Sequence, residues 1–256
     1  MKLSNRLQSL LNHIPAGSRL ADIGSDHALL PTAAVQTGVC VSAVAGEVNS
    51  GPHRAAEKQV QEAGLAAVIS VRKGDGLDVI HPGEVDVITI AGMGGGLISS
   101  ILDRGHTQGK LQGIHRLILQ PNVGEDLLRK WLVKHHWVLI EEDILEEDGK
   151  IYEVLTAVPE EEEVNGLTNE ELYQTYRLNS GLEVPQAWLL RFGPWLIRKP
   201  VFVFHAKWRS ELGKMAKILA SLAKSELSSA SEKAGELKQE MDTIKEVLSC
   251  LQKDKP

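Results

Sequence analysis

The sequence predicts an α/β fold, a doubly wound and mostly parallel sheet of seven strands, followed by a separate α-helical region. Three observations carry this. From Arg19 to Val158 short apolar runs alternate with helical patterns, the signature of repeated βα units. The first run ends in a turn bearing a glycine and two acids, Asp22-Ile23-Gly24-Ser25-Asp26. After the acidic break Glu160 to Glu163, continued by Val164, Asn165 and Gly166, the apolar period becomes that of long helices.

The expected strands are 20–23, 41–46, 69–72, 85–91, 116–120, 137–144 and 151–158, and the expected helices 26–36, 52–63, 94–103 and 124–134. The last two strands are separated only by Glu146 to Lys150, whose Asp148-Gly149 is a hairpin signal, so an antiparallel pair closes the sheet. The domains are therefore expected at 1–160 and 161–256. In the second, Thr168 and Glu171 form a possible capping box. Phe204, Trp208, Leu212, Met215, Leu219 and Leu222 make one apolar stripe, and Leu237, Met241, Ile244, Leu248 and Leu251 another. Ser228, Ser229 and Ser231 fall between them, and an antiparallel helical coiled coil follows.

Composition narrows the function classes. Cys40 and Cys250 lie far apart with no CxxC, which fits a reducing compartment and no structural disulfide. Residues 1–11 lack the apolar core of a signal peptide and no run approaches a membrane span, so a cytoplasmic protein without membrane contact is expected. The net charge of −6 resides wholly in residues 1–160, with 14 Lys+Arg against 20 Asp+Glu; residues 161–256 balance at 14 each. His135 and His136 are adjacent and no HExxH occurs, so no metal is expected. Nothing indicates oligomeric partners, and a monomer is the expectation.

The motifs fall at the carboxyl ends of strands, where doubly wound folds bind nucleotides. Gly24 permits a close bend, but Asp26 and Leu29 occupy the later positions of a G-x-G-x-x-G fingerprint. Carboxylates at Asp22 and Asp26 suit a cationic ligand better than a pyrophosphate, and S-adenosylmethionine carries a sulfonium and an ammonium. The alternative is that Ser25 only caps a helix and Asp26 complements its dipole. Glu47 follows Gly24 by 23 residues, near the spacing of about 20 for an acid that grips ribose hydroxyls. Asp75, within Gly74-Asp75-Gly76, is placed to meet the adenine edge. Ala91-Gly92-Met93, opening a four-glycine turn, allows close backbone approach, and Asn122 points its amide toward the same crevice. Each taken singly also fits an ordinary turn; several in register at successive strand ends do not.

Taken together, Leu3-Ser4-x-Arg6-Leu7, ADIGSDHALLP (21–31), AGE (45–47), GDGL (74–77), TIAGMGG (89–95), LILQPN (117–122) and EEDGKIYEV (146–154) resemble the bacterial tRNA methyltransferases that methylate N1 of adenine 22. The resemblance implies a Rossmann-like class I methyltransferase domain plus a coiled-coil domain, using S-adenosylmethionine on the tRNA elbow. It places Asp22, Gly24, Ser25, Glu47, Gly74, Asp75, Gly76, Ala91, Gly92 and Met93 at the cofactor, and Asp26, His27 and Asn122 at the methyl group or target base. Leu29 departs from the family pattern, which has Tyr there.

RNA also has to be gripped through phosphates. Between Arg191 and Lys217 stand seven basic residues against Glu211 alone, and Arg191, Arg198, Lys199, Lys207 and Arg209 are the expected RNA contacts. Six of the chain's eleven Trp, Tyr and Phe residues interleave with them, at Trp188, Phe192, Trp195, Phe202, Phe204 and Trp208. Helical spacing assigns Phe204 and Trp208 to a core. Two other classes stay open from the residues: an NAD-dependent oxidoreductase on the same sheet, and a non-catalytic RNA-binding protein with a vestigial site.

Overall fold

The computed structural model describes residues 3–163, 165–223 and 228–253; Val164 of the acidic break lies outside them. Two compact units divide between Leu172 and Tyr173, beyond the expected boundary at Glu160. The shift has a local cause. The capping box forms, with Thr168 N–H donating to Glu171 Oε2 at 3.1 Å and Glu171 N–H to Thr168 Oγ1 at 3.2 Å. It starts a short helix whose Asn169 donates from Nδ2 to Trp137 O and from its amide to Glu160 Oε1. Those bonds tie the segment after the acidic break to the first unit.

The first unit is a seven-stranded sheet built from β1 (Ser18–Ile23), β2 (Cys40–Glu47), β3 (Ile69–Lys73), β4 (Val87–Gly94), β5 (Arg116–Val123), β6 (Trp137–Glu147) and β7 (Lys150–Pro159). Their order is β3-β2-β1-β4-β5-β7-β6. Every neighbouring pair is parallel except those made by β7, which runs antiparallel to both β5 and β6. All seven expected strands are present, and the Asp148-Gly149 turn closes the hairpin with φ of 51° and 71°. The strands read as near-continuous apolar runs because helices cover both faces; Leu20, Ala21, Ile88, Ile90, Leu117, Ile118 and Leu119 are essentially fully buried.

The helices are α1 (Asn5–Asn12), α2 (Leu29–Gln36), α3 (Ser50–Glu62), α4 (Gly95–Thr107), α5 (Glu125–Lys134) and the short α6 (Asn169–Tyr173). Two differences from expectation matter for the site. The helix expected from Asp26 starts only at Leu29, because Asp26, His27 and Ala28 have φ of 28°, 62° and 53° and form a separate tight turn. Three successive non-glycine residues in the left-handed region store strain, a feature that clusters at functional sites. The second difference is α1, which the strand-based reading passed over. Ser4 caps it by accepting the Leu7 N–H, and Leu10, Leu11 and Ile14 bury against the sheet, each contributing about 1.5–3 kcal/mol. Polar bonds fix it to β6: Asn5 N–H donates to Glu147 at 2.6 Å, Ser9 Oγ to Asp143 at 2.7 Å, and His13 Nδ1 lies 3.2 Å from Glu141.

The second unit contains a two-stranded ribbon, β8 (Tyr176–Arg177) with β9 (Glu183–Val184), then α7 (Gln186–Phe192), α8 (Pro194–Arg198), α9 (Phe202–Leu222) and α10 (Ser228–Lys253). The last two helices pack on each other as the paired apolar stripes predict. Ser228, Ser229 and Ser231 open α10 instead of forming the turn between stripes. Phe192, Phe204 and Trp208 are buried, with Phe192 and Trp208 ring centroids 4.4 Å apart edge to face, so the heptad-spaced aromatics are core as expected. Phe202 alone of the six is largely exposed, at 74%. Among the described residues no helix is long and apolar enough to cross a membrane.

Candidate active site

Parallel register brings the motif residues to one level. Ile23 pairs with Gly46 on one side and Ile90 on the other, Glu47 with Lys73, and Ala91 with Gln120. A cleft of about 330 Å³ opens at these strand ends, lined by Asp22, Gly24, Ser25, Asp26, Leu29, Ala91, Gly92, Met93 and Asn122, and on the side of α1 and β7 by Arg6, Leu7 and Tyr152. Eight of the expected cofactor and catalytic residues thus share one cavity.

The first turn explains its own sequence. Gly24 has φ of 73°, and a Cβ there would lie 2.3 Å from Met93 Cε, so no side chain fits between the β1 and β4 turns. Asp22 is 5% exposed and each of its oxygens is capped, Oδ2 by Ser25 Oγ and Oδ1 by Thr89 Oγ1, both at 2.6 Å. Burial pushes its carboxyl up, against those two hydroxyls and the Arg6 charge, which favour ionisation. Ser25 therefore fixes Asp22 instead of capping a helix. The amides of Gly24 and Ser25 both donate to Gly46 O, at 2.9 and 3.1 Å. A dinucleotide site needs such turn amides for its pyrophosphate; here they are already spent inside the sheet.

Glu47 is 7% exposed at the end of β2. Burial raises its carboxyl, the Asp26 backbone amide that it accepts lowers it, and the carboxylates of Asp26 and Asp22 raise it further. The strained turn thus has a use: it aims the Asp26 amide at Glu47 and joins two strand ends. Asp26 itself projects its side chain into solvent, 79% exposed, with His27 Nε2 3.6 Å from Oδ1. Glu47, Gly74, Asp75 and Gly76 do not line the cleft proper but lie at and just beyond the ends of β2 and β3, and His27, in the turn after β1, is also outside its lining. Asp75 is held from outside, Arg104 donating to Oδ2 at 2.9 Å and to the Asp75 carbonyl at 3.0 Å. Gly74 has a packing reason, since a Cβ would meet Val79 at 2.8 Å.

On the opposite side Asn122 donates to Gly92 O at 2.7 Å and accepts from Gln120 Nε2 at 3.3 Å, while the fully buried Gln120 accepts from Arg6 Nη1 at 2.8 Å. Arg6, Gln120 and Asn122 form one chain of hydrogen bonds. Sequence reasoning assigned no role to Thr89, Arg104, Gln120 or Tyr152, and placed Arg6 only at the rim of the domain. For Arg6 a signal existed, because Leu7, Leu10, Leu11 and Ile14 after Ser4 have helical spacing; the pairing of Arg104 with Asp75 had none.

In the second unit the expected RNA contacts divide. Arg191 is ion-paired with Glu240 and lies over the Trp188 ring at 5.0 Å. Arg198 donates to Pro194 O and stacks over Tyr176 at 4.8 Å. Lys207 lies 5.7 Å from the Trp208 ring, whereas Lys199 and Arg209 are exposed.

A class I strand order with a carboxylate-lined cleft at the sheet's carboxyl end, the Gly24 and Ser25 amides spent on Gly46 O, is that of an S-adenosylmethionine-dependent methyltransferase. Comparison with known proteins identifies which kind. Residues 20–246 match the family described as TrmK, tRNA (adenine(22)-N(1))-methyltransferase, and the chain belongs to that family. It is 43% identical to the tRNA (adenine(22)-N(1))-methyltransferase of Bacillus subtilis over 97% of this chain and 98% of that one. The crystal structure of B. subtilis TrmK superposes with a TM-score of 0.83, covering 96% of this chain and 99% of that chain. A Streptococcus pneumoniae putative tRNA (m1A22) methyltransferase, crystallised in complex with S-adenosyl-L-methionine, is 39% identical with a TM-score of 0.79, over 96% of this chain and 100% of that one. The oxidoreductase and non-catalytic readings have no support.

Proposed function

We infer that this chain transfers a methyl group from S-adenosylmethionine to N1 of adenine 22 in the elbow of tRNA. The observation that carries the reading is the cleft with its flank: the buried carboxylates of Asp22 in the cleft and of Glu47 beside it at the end of β2, a Gly24 that lets Met93 of the β4 turn pack close, and Gly24 and Ser25 amides already spent on Gly46 O. These residues fit a cationic nucleoside. When bound, the cofactor supplies an electrophilic methyl on its sulfonium.

The chain's residues bind and orient. Glu47 accepts the ribose hydroxyls, Asp75 with Arg104 behind it meets the adenine edge, and the Ala91–Met93 turn with Gly24 closes on the nucleoside. Gly74 and Gly76 keep the β3 turn tight, and Asp22, clamped by Ser25 and Thr89, keeps a negative field under the positive centre. N1 of adenine has an in-plane lone pair, so no base has to remove a proton from it, and holding donor and acceptor in line is the main task. N1 is hidden in paired RNA, so the base leaves its stack to enter. Asn122, oriented by Gly92 O and Gln120, presents its amide to the base; Asp26 and His27 stand at the entrance.

Lys199 and Arg209 contact tRNA phosphates from the second unit, with Arg191, Arg198 and Lys207 adding charge beside them. The protein works in the cytoplasm as a monomer, without a metal. In support of a reducing compartment, both cysteines are free. Incubation with labelled S-adenosylmethionine and unmodified tRNA, followed by nucleoside analysis, yields 1-methyladenosine, and replacing adenine 22 by guanine abolishes it. Methylation that survives that replacement sinks the assignment.

A further inference from the structure

The cleft has one aromatic wall residue, Tyr152, and the expected site contained none. Tyr152 sits on β7 opposite Leu145 of β6, half-buried. Its place is rigid. The next residue, Glu153, faces the other side of the sheet, where it and Glu142 hold the fully buried Arg129 guanidinium. The amides of Asn5 and Arg6 donate to Glu147 of the same hairpin, at 2.6 and 3.4 Å, and tie α1 to it. The Arg6 guanidinium carbon lies 5.7 Å from the Tyr152 ring centroid, and Arg6 also lines the cleft. A face of the ring thus already attracts a cation at the cavity wall.

We propose that Tyr152 is the stacking surface for the target adenine, and that its π face stabilises the positive charge the base acquires on methylation. This rests on the tRNA-methylating activity inferred above. In the step, the N1 lone pair forms the new N–CH3 bond, the electron pair of the broken S–CH3 bond stays on sulfur, and no proton leaves. The adenine ring therefore gains one positive charge. A tyrosine face interacts more strongly with that charged ring than with neutral adenine, so the contact favours the transition state over the bound substrate. The base takes the place over the ring that Arg6 holds in its absence. Leu29, which also lines the cleft, offers bulk but no π system.

The test compares Tyr152→Phe, which keeps the ring, with Tyr152→Leu, which keeps apolar bulk. Full-length proteins are assayed for kcat/KM on tRNA, for S-adenosylmethionine affinity, and for emission of tRNA carrying 2-aminopurine at position 22, a base that is bright when unstacked and quenched against a ring. Tyr152→Phe is expected to stay near the parent in all three. Tyr152→Leu is expected to lose about ten- to a hundredfold in kcat/KM, with unchanged cofactor affinity and raised emission in the complex. Parent-like kcat/KM in Tyr152→Leu overturns the proposal, as does a loss with unchanged emission or an equal loss of cofactor affinity. Failure of the parent protein to methylate adenine 22 would instead strike the underlying activity.

Discussion

The charged residues of the cleft and those of the helical unit were singled out on similar grounds, yet the structure treats them differently. At the strand ends, Asp22 has both oxygens capped by hydroxyls, Glu47 takes an amide from a strained turn, and Asn122 is oriented through Gln120. In the helical unit Arg191 and Arg198 are engaged with Glu240, Pro194 O and aromatic rings of their own unit, and only Lys199 and Arg209 stand exposed among the expected contacts. Topology dictates where a strand end points, so a residue there inherits a place in the crevice. A basic residue on a short helix inherits only proximity, and the unit's own packing competes for it.

That contrast is broken most severely by removing one side. A chain ending at Leu172 is expected to keep S-adenosylmethionine affinity within about twofold while losing roughly a hundredfold or more in tRNA methylation, because the phosphate contacts go with the second unit. Calorimetry and methyl incorporation measure the two effects; full activity would make the helical unit dispensable. A chain ending at Glu160 should fare worse at the cofactor too, since it cuts away Asn169 and its bonds to Trp137 and Glu160.

The sheet was legible because its apolar runs are buried on both faces and punctuated by turn residues, and the hairpin because Asp148-Gly149 can adopt the left-handed pair of φ values it needs. The left-handed Asp26-His27-Ala28 turn was not, since Asp and His tolerate that region without requiring it and Ala28 does not favour it; the Asp26 backbone is placed where Glu47 accepts its amide. Glu47 was found by spacing from Gly24, and its neighbourhood to Asp26 is a tertiary fact. Arg6 and Tyr152 lie in segments quoted for family likeness, but α1 reaches the cleft through contacts with β6, β7 and α2, which no local pattern encodes. The stop at Glu160 failed for a similar reason: the acidic run looks like a linker, while Asn169 beyond it returns to the sheet.

Smaller perturbations sharpen the comparison. Glu47→Ala should weaken S-adenosylmethionine binding by about 1–3 kcal/mol through loss of a charged acceptor for two hydroxyls, and leave tRNA affinity unchanged; equal cofactor affinity in a folded variant removes Glu47 from the site. Replacing Lys199 and Arg209 together by Ala should flatten the salt dependence of tRNA binding by about one per contact, whereas Arg191→Ala and Arg198→Ala should lower the melting temperature more than they change that slope. A dissociation constant measured across a salt series separates the two pairs, and identical slopes for all variants would dismiss the segment as an RNA grip.

The smallest effect is in pH. Burial raises the carboxyls of Asp22 and Glu47, so between their unfolded values, near 4, and their higher folded values the cofactor-free folded chain holds the extra protons. Their contribution to folding is then fully present below the unfolded values and is lost as pH rises through the folded ones. A bound cation favours the ionised carboxylates, so cofactor binding should release protons in that window and tighten as pH rises through it. Calorimetry in buffers of different ionisation enthalpy reads the release; proton uptake on binding would reverse the sign and contradict the account.

The central claim is that strand-end carboxylates, with the turn amides spent on Gly46 O, make this crevice a site for a cationic nucleoside and not for a dinucleotide. Titrating the intact protein with S-adenosylmethionine and, separately, with NAD at the same concentrations tests it most directly. Saturable binding of S-adenosylmethionine and no heat of binding with NAD are expected; saturable NAD binding in a protein that ignores S-adenosylmethionine would contradict a cationic-nucleoside site.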